Sequence, residues 1–330
     1  MKMVFFSAQP YDKTYFTQWN NQGLDLVFFE PALTEQTVEL AQGAAAVCVF
    51  VNDIVNQAVL ARLAALGVKV VALRCAGFNH VDLEAARALG LRVCRVPAYS
   101  PEAVAEHSLA LLLTLNRKTH KAYNRVREQN FSLHGLMGQN LYGKTIGVIG
   151  TGKIGQAFCR IMLGMGCRVM AFDLVANTAM QAMGVDYQPL LEVLKADVVS
   201  LHCPLNEQTR HLINDQTLLG MKDGAVLLNT SRGGLIDTPA VIRALKKGKL
   251  GALGIDVYEQ EEKLFFRDLS TDIIQDDVLQ RLSGFPNVLI TAHQAFFTHE
   301  ALTEIAQTTL ESVGALLKGQ KIRTEAALLV

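Results

Sequence analysis

Thr145-Ile146-Gly147-Val148-Ile149-Gly150-Thr151-Gly152-Lys153-Ile154-Gly155 reads as a β-branched strand, a glycine turn and the start of a helix. Gly150, Gly152 and Gly155 fill a G-x-G-x-x-G pattern. The first glycine permits a tight turn, the second lets a pyrophosphate approach the backbone, and the third lets the helix pack on the strand. Alone this pattern is weak evidence. Its context is stronger: Ile154, Phe158, Ile161, Met162 and Met165 give the next segment an apolar helical stripe, and a second strand, Arg168 to Phe172, ends at Asp173. The N–H groups at the helix start, among them those of Lys153 and Ile154, suit a pyrophosphate, and Asp173 suits the hydroxyls of an adenosine ribose. A glycine-rich turn that binds nothing is the alternative, and the order of all four parts argues against it.

Upstream, short β-branched or aromatic runs alternate with helical patterns. Met3 to Phe6, Leu24 to Phe29, Ala46 to Val51, Val68 to Leu73 and Leu91 to Val96 read as strands. Gln57 to Leu66 and Asp82 to Leu89 read as helices, each followed by a glycine, Gly67 or Gly90, placed for a C-cap. This is an α/β domain with a parallel sheet and no glycine fingerprint after its first strand, which makes it the candidate substrate domain. Ser100-Pro101 then signals an N-cap and a first-turn proline, and Val104, Leu109, Leu112, Leu113 and Leu115 space out a long helix, so the domain boundary is placed there. The basic stretch Arg117, Lys118, Lys121, Arg125 and Arg127 reads as a solvated helix face or an interface.

Downstream of Asp173, strands are expected at Val198 to His202, Ala225 to Asn229, Leu250 to Ile255 and, past a long loop, Val288 to Thr291. Helices are expected around Pro189 to Lys195, Asp215 to Met221 and Thr238 to Lys247. Thr298 is placed to cap a last helix, Glu300 to Leu317, that returns the chain to the first domain. The expected architecture is α/β with two doubly wound parallel-sheet domains, residues 1–100 with 300–330 and residues 101–299.

A length of 330 residues fits about two domains. Lys plus Arg and Asp plus Glu both number 31, so no global field favours nucleic acid or an anionic membrane. Six scattered cysteines without a C-x-x-C pair suit a reducing cytoplasm. The first ten residues hold too short an apolar run for a signal peptide, and Leu109 to Leu115 is too short to span a bilayer. A soluble cytoplasmic protein is expected, and the histidines show no metal-ligand spacing.

In open α/β sheets ligands sit beyond the carboxyl ends of the strands. Polar residues crowd four such ends here: His202-Cys203-Pro204-Leu205, Asn229-Thr230-Ser231-Arg232-Gly233-Gly234, Asp256 to Glu261, and Ala292-His293-Gln294. Arg232 has no acid in its own loop, so it is free to grip a carboxylate and polarise a carbonyl. Glu259, Glu261 and Glu262 form either a solvated acidic turn or a partner for a histidine, and His293 is either a buried structural histidine or a proton carrier. Each signal is weak alone; together, beside a nucleotide fingerprint, they point to a site that moves a proton and a hydride.

At this point the chain resembles, over nearly its whole length, the NAD-dependent D-2-hydroxyacid dehydrogenases and their D-lactate branch. Four segments carry the resemblance: Arg74-Cys75-Ala76-Gly77-Phe78-Asn79-His80-Val81-Asp82, Val96-Pro97-Ala98-Tyr99-Ser100-Pro101 running to Glu106-His107, Asn229 to Asp237, and Asp256-Val257-Tyr258-Glu259-Gln260-Glu261. The resemblance implies a Rossmann NAD-binding domain and a flavodoxin-like substrate domain with the cleft between them, and closure on cofactor binding. It implies that Arg232, Glu261 and His293 are catalytic and that the backbone N–H groups of Ala76 and Gly77 hold the substrate carboxylate. Besides the glycine turn and Asp173, it places NAD against His202, Cys203, Pro204 and Asn206, and against Thr230, Ser231, Arg232 and Asp256. Tyr99, Leu264-Phe265-Phe266 and the run His293 to Thr298 suggest the lactate branch, with Tyr99 and Phe297 bordering a small substrate. Pyruvate and D-lactate are then the expected substrate pair, and the long helix from Pro101 is expected to help form a homodimer or a higher homo-oligomer. The family also includes a transcriptional corepressor, so a non-catalytic NAD sensor stays open, as does a dehydrogenase of another 2-oxoacid. Asp173, followed by Leu174 and Val175, disfavours a 2′-phosphate and so NADP.

Overall fold

A computed structural model describes all 330 residues, the side chain of Lys263 excepted. It divides into two compact units, Met1–Ser100 with Phe296–Val330, and Pro101–Ala295. The return crossing thus falls between Ala295 and Phe296, ahead of the expected 299/300 break.

The first unit is built on five parallel strands: β1 (Lys2–Phe5), β2 (Asp25–Phe28), β3 (Ala46–Val49), β4 (Val70–Leu73) and β5 (Arg92–Arg95), in the order β2-β1-β3-β4-β5. That is the flavodoxin-like order. β3 and β4 are buried at every residue, as strands covered by helices on both faces must be, which is why they read as unbroken apolar runs. Asn56 and Asp82 cap the helices Gln57–Ala65 and Leu83–Ala88 through their side chains. The helix His299–Leu317, capped by Thr298, packs in this unit against β4, β5 and the helix Pro10–Gln18.

Seven parallel strands make the second unit: β6 (Thr145–Ile149), β7 (Arg168–Phe172), β8 (Asp186–Tyr187), β9 (Val198–Leu201), β10 (Ala225–Asn229), β11 (Leu250–Ile255) and β12 (Val288–Ile290). Their order is β12-β11-β10-β9-β6-β7-β8, so the direction of winding reverses beside β6. The glycine turn therefore stands at the topological switch point, where open α/β sheets bind ligands. Phe158 and Met162, on the buried face of the helix Lys153–Gly164, join Ile146, Val148 and Leu112 in one core cluster. The helix from Pro101 ends at Arg117, because Lys118 adopts a left-handed φ of 52° and starts a separate helix without a fully buried residue, Thr119–Arg127. The stretch read as a long loop before β12 holds two helical turns, a 3-10 turn Glu261–Lys263 and the helix Asp277–Ser283, the latter capped by Asp276. Among the described residues no helix is long and apolar enough to cross a membrane, and no group of His, Cys, Asp and Glu is arranged to hold a metal ion.

Candidate active site

The carboxyl ends of β6, β9, β10, β11 and β12 share one edge of the second sheet, and the polar loops read from the sequence all lie there. At β6, Gly150 takes φ 92°, and a Cβ on it would lie 2.6 Å from the Cys203 nitrogen. A Cβ on Gly155 would lie 2.0 Å from the Gly150 oxygen, so turn and helix pack more closely than any side chain allows. Gly152, between them, faces open space, with nothing within 4 Å of where its Cβ would be. As N-cap it brings no side-chain acceptor to the first-turn N–H groups at Lys153, Ile154 and Gly155. An open glycine beneath uncapped helix N–H groups fits a pyrophosphate. Asp173 Oδ2 accepts from the Thr151 N–H (2.5 Å) and hydroxyl (3.0 Å), so the acid after β7 also braces the turn.

After β9, His202 is buried on the glycine turn, its Nε2 2.8 Å from the Ser200 hydroxyl and its ring 5.1 Å from that of Phe158. Burial alone pushes its pKa down to about 3, so it is neutral at pH 7. Cys203 closes the space behind Gly150. Pro204 and Asn206 are exposed; the Asn206 carboxamide oxygen accepts from the Gln208 and Thr209 N–H groups and so shapes the turn that follows.

After β10, the fully buried Asn229 forms a loop template. Its Oδ1 accepts from the Ser231 N–H (3.0 Å) and its Nδ2 donates to the Arg232 carbonyl (2.9 Å). Thr230 is buried with its hydroxyl 2.9 Å from that of Ser108, and the Ser231 hydroxyl donates to the Leu201 carbonyl. Arg232 Nη1 donates to the Ser231 carbonyl (2.7 Å), and among the described residues no carboxylate bonds the guanidinium. A Cβ on the next residue, Gly233, would sit 2.1 Å from the Tyr258 carbonyl carbon, so the arginine loop lies flat on the peptide after β11.

That peptide connects the rest. The Tyr258 N–H donates to Glu261 Oε2 (2.8 Å), and Glu261 Oε1 lies 2.6 Å from His293 Nδ1. Of the three acids in this loop the structure thus selects Glu261 for His293. Glu259 goes to His211 Nε2 instead (2.5 Å), and Glu262 is exposed. His211 gave no sign of this partner in the sequence, because the pair spans two loops. Asp256 is wholly buried, and its carboxylate is taken up by the loop after β12: Oδ1 accepts from the Thr291 hydroxyl (2.5 Å) and the Gln294 N–H, Oδ2 from the Ala295 N–H. Its carbonyl accepts from the His293 N–H (2.7 Å). His107 Nε2 lies 3.0 Å from the Thr291 hydroxyl and 3.5 Å from Asp256, a supporting role that helical position alone did not reveal. These bonds hold His293 at φ 52°, a left-handed conformation uncommon for a non-glycine residue.

In the first unit, Ala76 and Gly77 lie in the partly buried loop after β4. Tyr99 meets Phe296 (ring centroids 6.2 Å apart), which also touches Phe50, whereas Phe297 pairs edge-on with Tyr11 (4.9 Å). Of the two aromatics after His293, the one against Tyr99 is therefore Phe296.

Residues 109–295 match the family described as "D-isomer specific 2-hydroxyacid dehydrogenase, NAD binding domain". The chain is 54% identical over 327 residues to D-lactate dehydrogenase of Escherichia coli K12, which covers 98% of this chain and 99% of that protein. The solved apo-structure of D-lactate dehydrogenase from Escherichia coli superposes with a TM-score of 0.91 over 100% of both chains at 51% identity. The NAD-complexed D-isomer specific 2-hydroxyacid dehydrogenase from Lactobacillus delbrueckii ssp. bulgaricus gives 0.81 over 100% of both chains at 31% identity.

Proposed function

The chain belongs to the NAD-dependent D-isomer specific 2-hydroxyacid dehydrogenases, and on that footing we propose that it interconverts pyruvate and D-lactate. Full-length likeness to a D-lactate dehydrogenase carries the choice of substrate. The cofactor is NAD, and bound NADH supplies the hydride.

The chain's own residues divide the remaining tasks. The Lys153, Ile154 and Gly155 N–H groups are assigned to the pyrophosphate, and Asp173 to the adenosine ribose. Leu174 and Val175, both exposed, bring no cation for a 2′-phosphate, so comparable efficiency with NADPH would overturn this cofactor assignment. His202, Cys203, Thr230 and Ser231 shape the wall beneath the cofactor, and Pro204 and Asn206 its rim. Asp256, its oxygens already occupied, is assigned to holding the His293 loop.

Arg232 grips the substrate carboxylate and polarises the ketone; the Ala76 and Gly77 N–H groups of the first unit are assigned to the same carboxylate. Because His293 Nδ1 faces a carboxylate acceptor, it carries hydrogen, and Nε2 is the nitrogen that gives a proton to the ketone oxygen in reduction and takes it back in oxidation. Glu261 fixes that tautomer and supports the charged ring. Tyr99 and Phe296 border the methyl group, with Phe297 behind them on Tyr11. The first unit is thus read as the substrate domain and the second as the NAD domain.

Assembly is assigned to the segment 119–142 of the second unit. Tyr123, Val126, Phe131, Leu133, Met137 and Tyr142 are all exposed there, large apolar side chains of the kind that mark an interaction surface. A homodimer or higher homo-oligomer is expected by light scattering. The six buried thiols suit a cytoplasmic setting.

NADH oxidation with pyruvate, phenylpyruvate, 2-ketoisocaproate, hydroxypyruvate and glyoxylate tests the reading, followed by chiral analysis of the product. The expected result is the highest kcat/KM with pyruvate, giving D-lactate. L-lactate, or preference for a bulkier acid, would overturn it.

A further inference from the structure

We propose that Arg95 is a positioning residue for the substrate carboxylate, aiming the Gly77 N–H from behind the loop. The inference rests on the assignment of Ala76 and Gly77 to that carboxylate. Arg95 ends β5, and its Nη1 donates to the Ala76 carbonyl at 2.7 Å. A trans peptide group is planar, with its C=O and N–H pointing opposite ways. A guanidinium that holds the Ala76 oxygen therefore fixes the direction of the Gly77 N–H. It also polarises that amide, since a charged donor on the oxygen makes the N–H a stronger donor. The flanking peptides are fixed as well: the Cys75 carbonyl accepts from the Val96 N–H (3.2 Å), and the Cys75 thiol donates to the Gly77 carbonyl (3.3 Å).

Arg95 is itself held on two sides. Its guanidinium lies over the Phe78 ring, 4.9 Å from the centroid, and its Nε donates to the Ala326 carbonyl at 3.4 Å. Ala326 belongs to the 3-10 turn Glu325–Ala327, after which Leu328 bridges antiparallel to Cys94 and the Val330 carbonyl accepts from the Val93 N–H. The last residues of the chain thus lie along β5 and steady the arginine that steadies the loop. A lysine offers no rigid fork to span two carbonyls while stacking on a ring.

The test compares Arg95→Ala and Arg95→Lys with wild type by KM and kcat for pyruvate, inhibition by oxamate (a pyruvate isostere), NADH affinity by fluorescence, and rescue of Arg95→Ala with guanidinium far below denaturing concentration. KM for pyruvate and Ki for oxamate are expected to rise together, about tenfold or more in Arg95→Ala. Arg95→Lys should fall in between, kcat should change much less, NADH affinity should hold, and guanidinium should return KM toward wild type. A folded Arg95→Ala with wild-type KM would overturn the proposal. So would equal weakening of pyruvate and NADH without rescue, the mark of a merely structural stitch. A wild type that turned over no 2-oxoacid would instead overturn the dehydrogenase reading, and with it the loop's substrate role.

Discussion

In both units the first strand, β1 or β6, is a largely buried parallel strand that runs into a helix, yet the two units treat the start of that helix in opposite fashion. In the first unit the turn after β1 leads to the helix Pro10–Gln18, whose own Asp12 reaches back to the Gln9 N–H. Asp12 and its partner Arg74 are both buried, with Nε 3.3 Å from Oδ1, and Arg74 also donates to the Ser7 carbonyl. The helix start is filled by the protein's own anion, neutralised by the protein's own cation. In the second unit the helix Lys153–Gly164 begins on a glycine without a capping side chain, beneath open space. One topology thus gives a self-satisfied helix start and an unfilled one. Only the unfilled one can take a phosphate from outside.

Four substitutions put that contrast under strain. His293→Gln in the second unit should lower kcat by about 10²–10⁴ while NADH affinity stays close to wild type; loss of NADH affinity with intact kcat would remove the proton-transfer role. Arg74→Leu in the first unit should cost roughly 3–5 kcal/mol, because it strands the buried Asp12, and urea unfolding reads this directly. A cost under about 1 kcal/mol would show that the filled helix start does not depend on its cation. Gly152→Ala should weaken NADH by about tenfold, near 1.4 kcal/mol, with little change in the unfolding midpoint, since the new methyl meets no protein atom. Destabilisation comparable to the loss of binding would mean that the space is structural.

The fourth effect is a slope. His202 sits at about 3 when folded, against an ordinary 6.5. As pH falls below 6.5 the unfolded chain takes up a proton that the folded chain refuses, so stability falls with it, at up to about 1.4 kcal/mol per pH unit from this group. His202→Asn should flatten that acid limb between pH 6 and pH 4 in urea midpoints; an unchanged slope would contradict the burial argument.

Much of the second unit was legible in the sequence because its signals are local. Glycine spacing, a closing Asp173 and β-branched runs all act within a few residues, and β6, β7, β10 and β11 lie where those patterns end. Arg232, Glu261 and His293 were legible as candidates because strand ends carry ligands. Which acid meets His293 was legible only through the family resemblance, which picked Glu261; the local residue pattern left Glu259 and Glu261 open, since they differ only in the tertiary position of two histidines. The resemblance placed Asp256 against NAD, but the grip of Thr291, Gln294 and Ala295, far along the chain, on its carboxylate has no local sequence signal. The helix Pro10–Gln18 escaped notice because it buries Asp12 and Phe16 instead of an apolar stripe. Arg95 escaped because its partners are main-chain carbonyls, which no side-chain pattern encodes.

The backbone of His293 sits where glycine would be most at ease. A left-handed residue with a Cβ is less stable than glycine there by roughly 1–2 kcal/mol, so His293→Gly and His293→Ala, equally stripped of the imidazole, should differ in melting temperature in favour of glycine. Improving durability at this position therefore means giving up turnover. A screen for thermotolerance that ignored activity would drift toward a sturdier, inert protein, and one that tracked both would leave this residue alone.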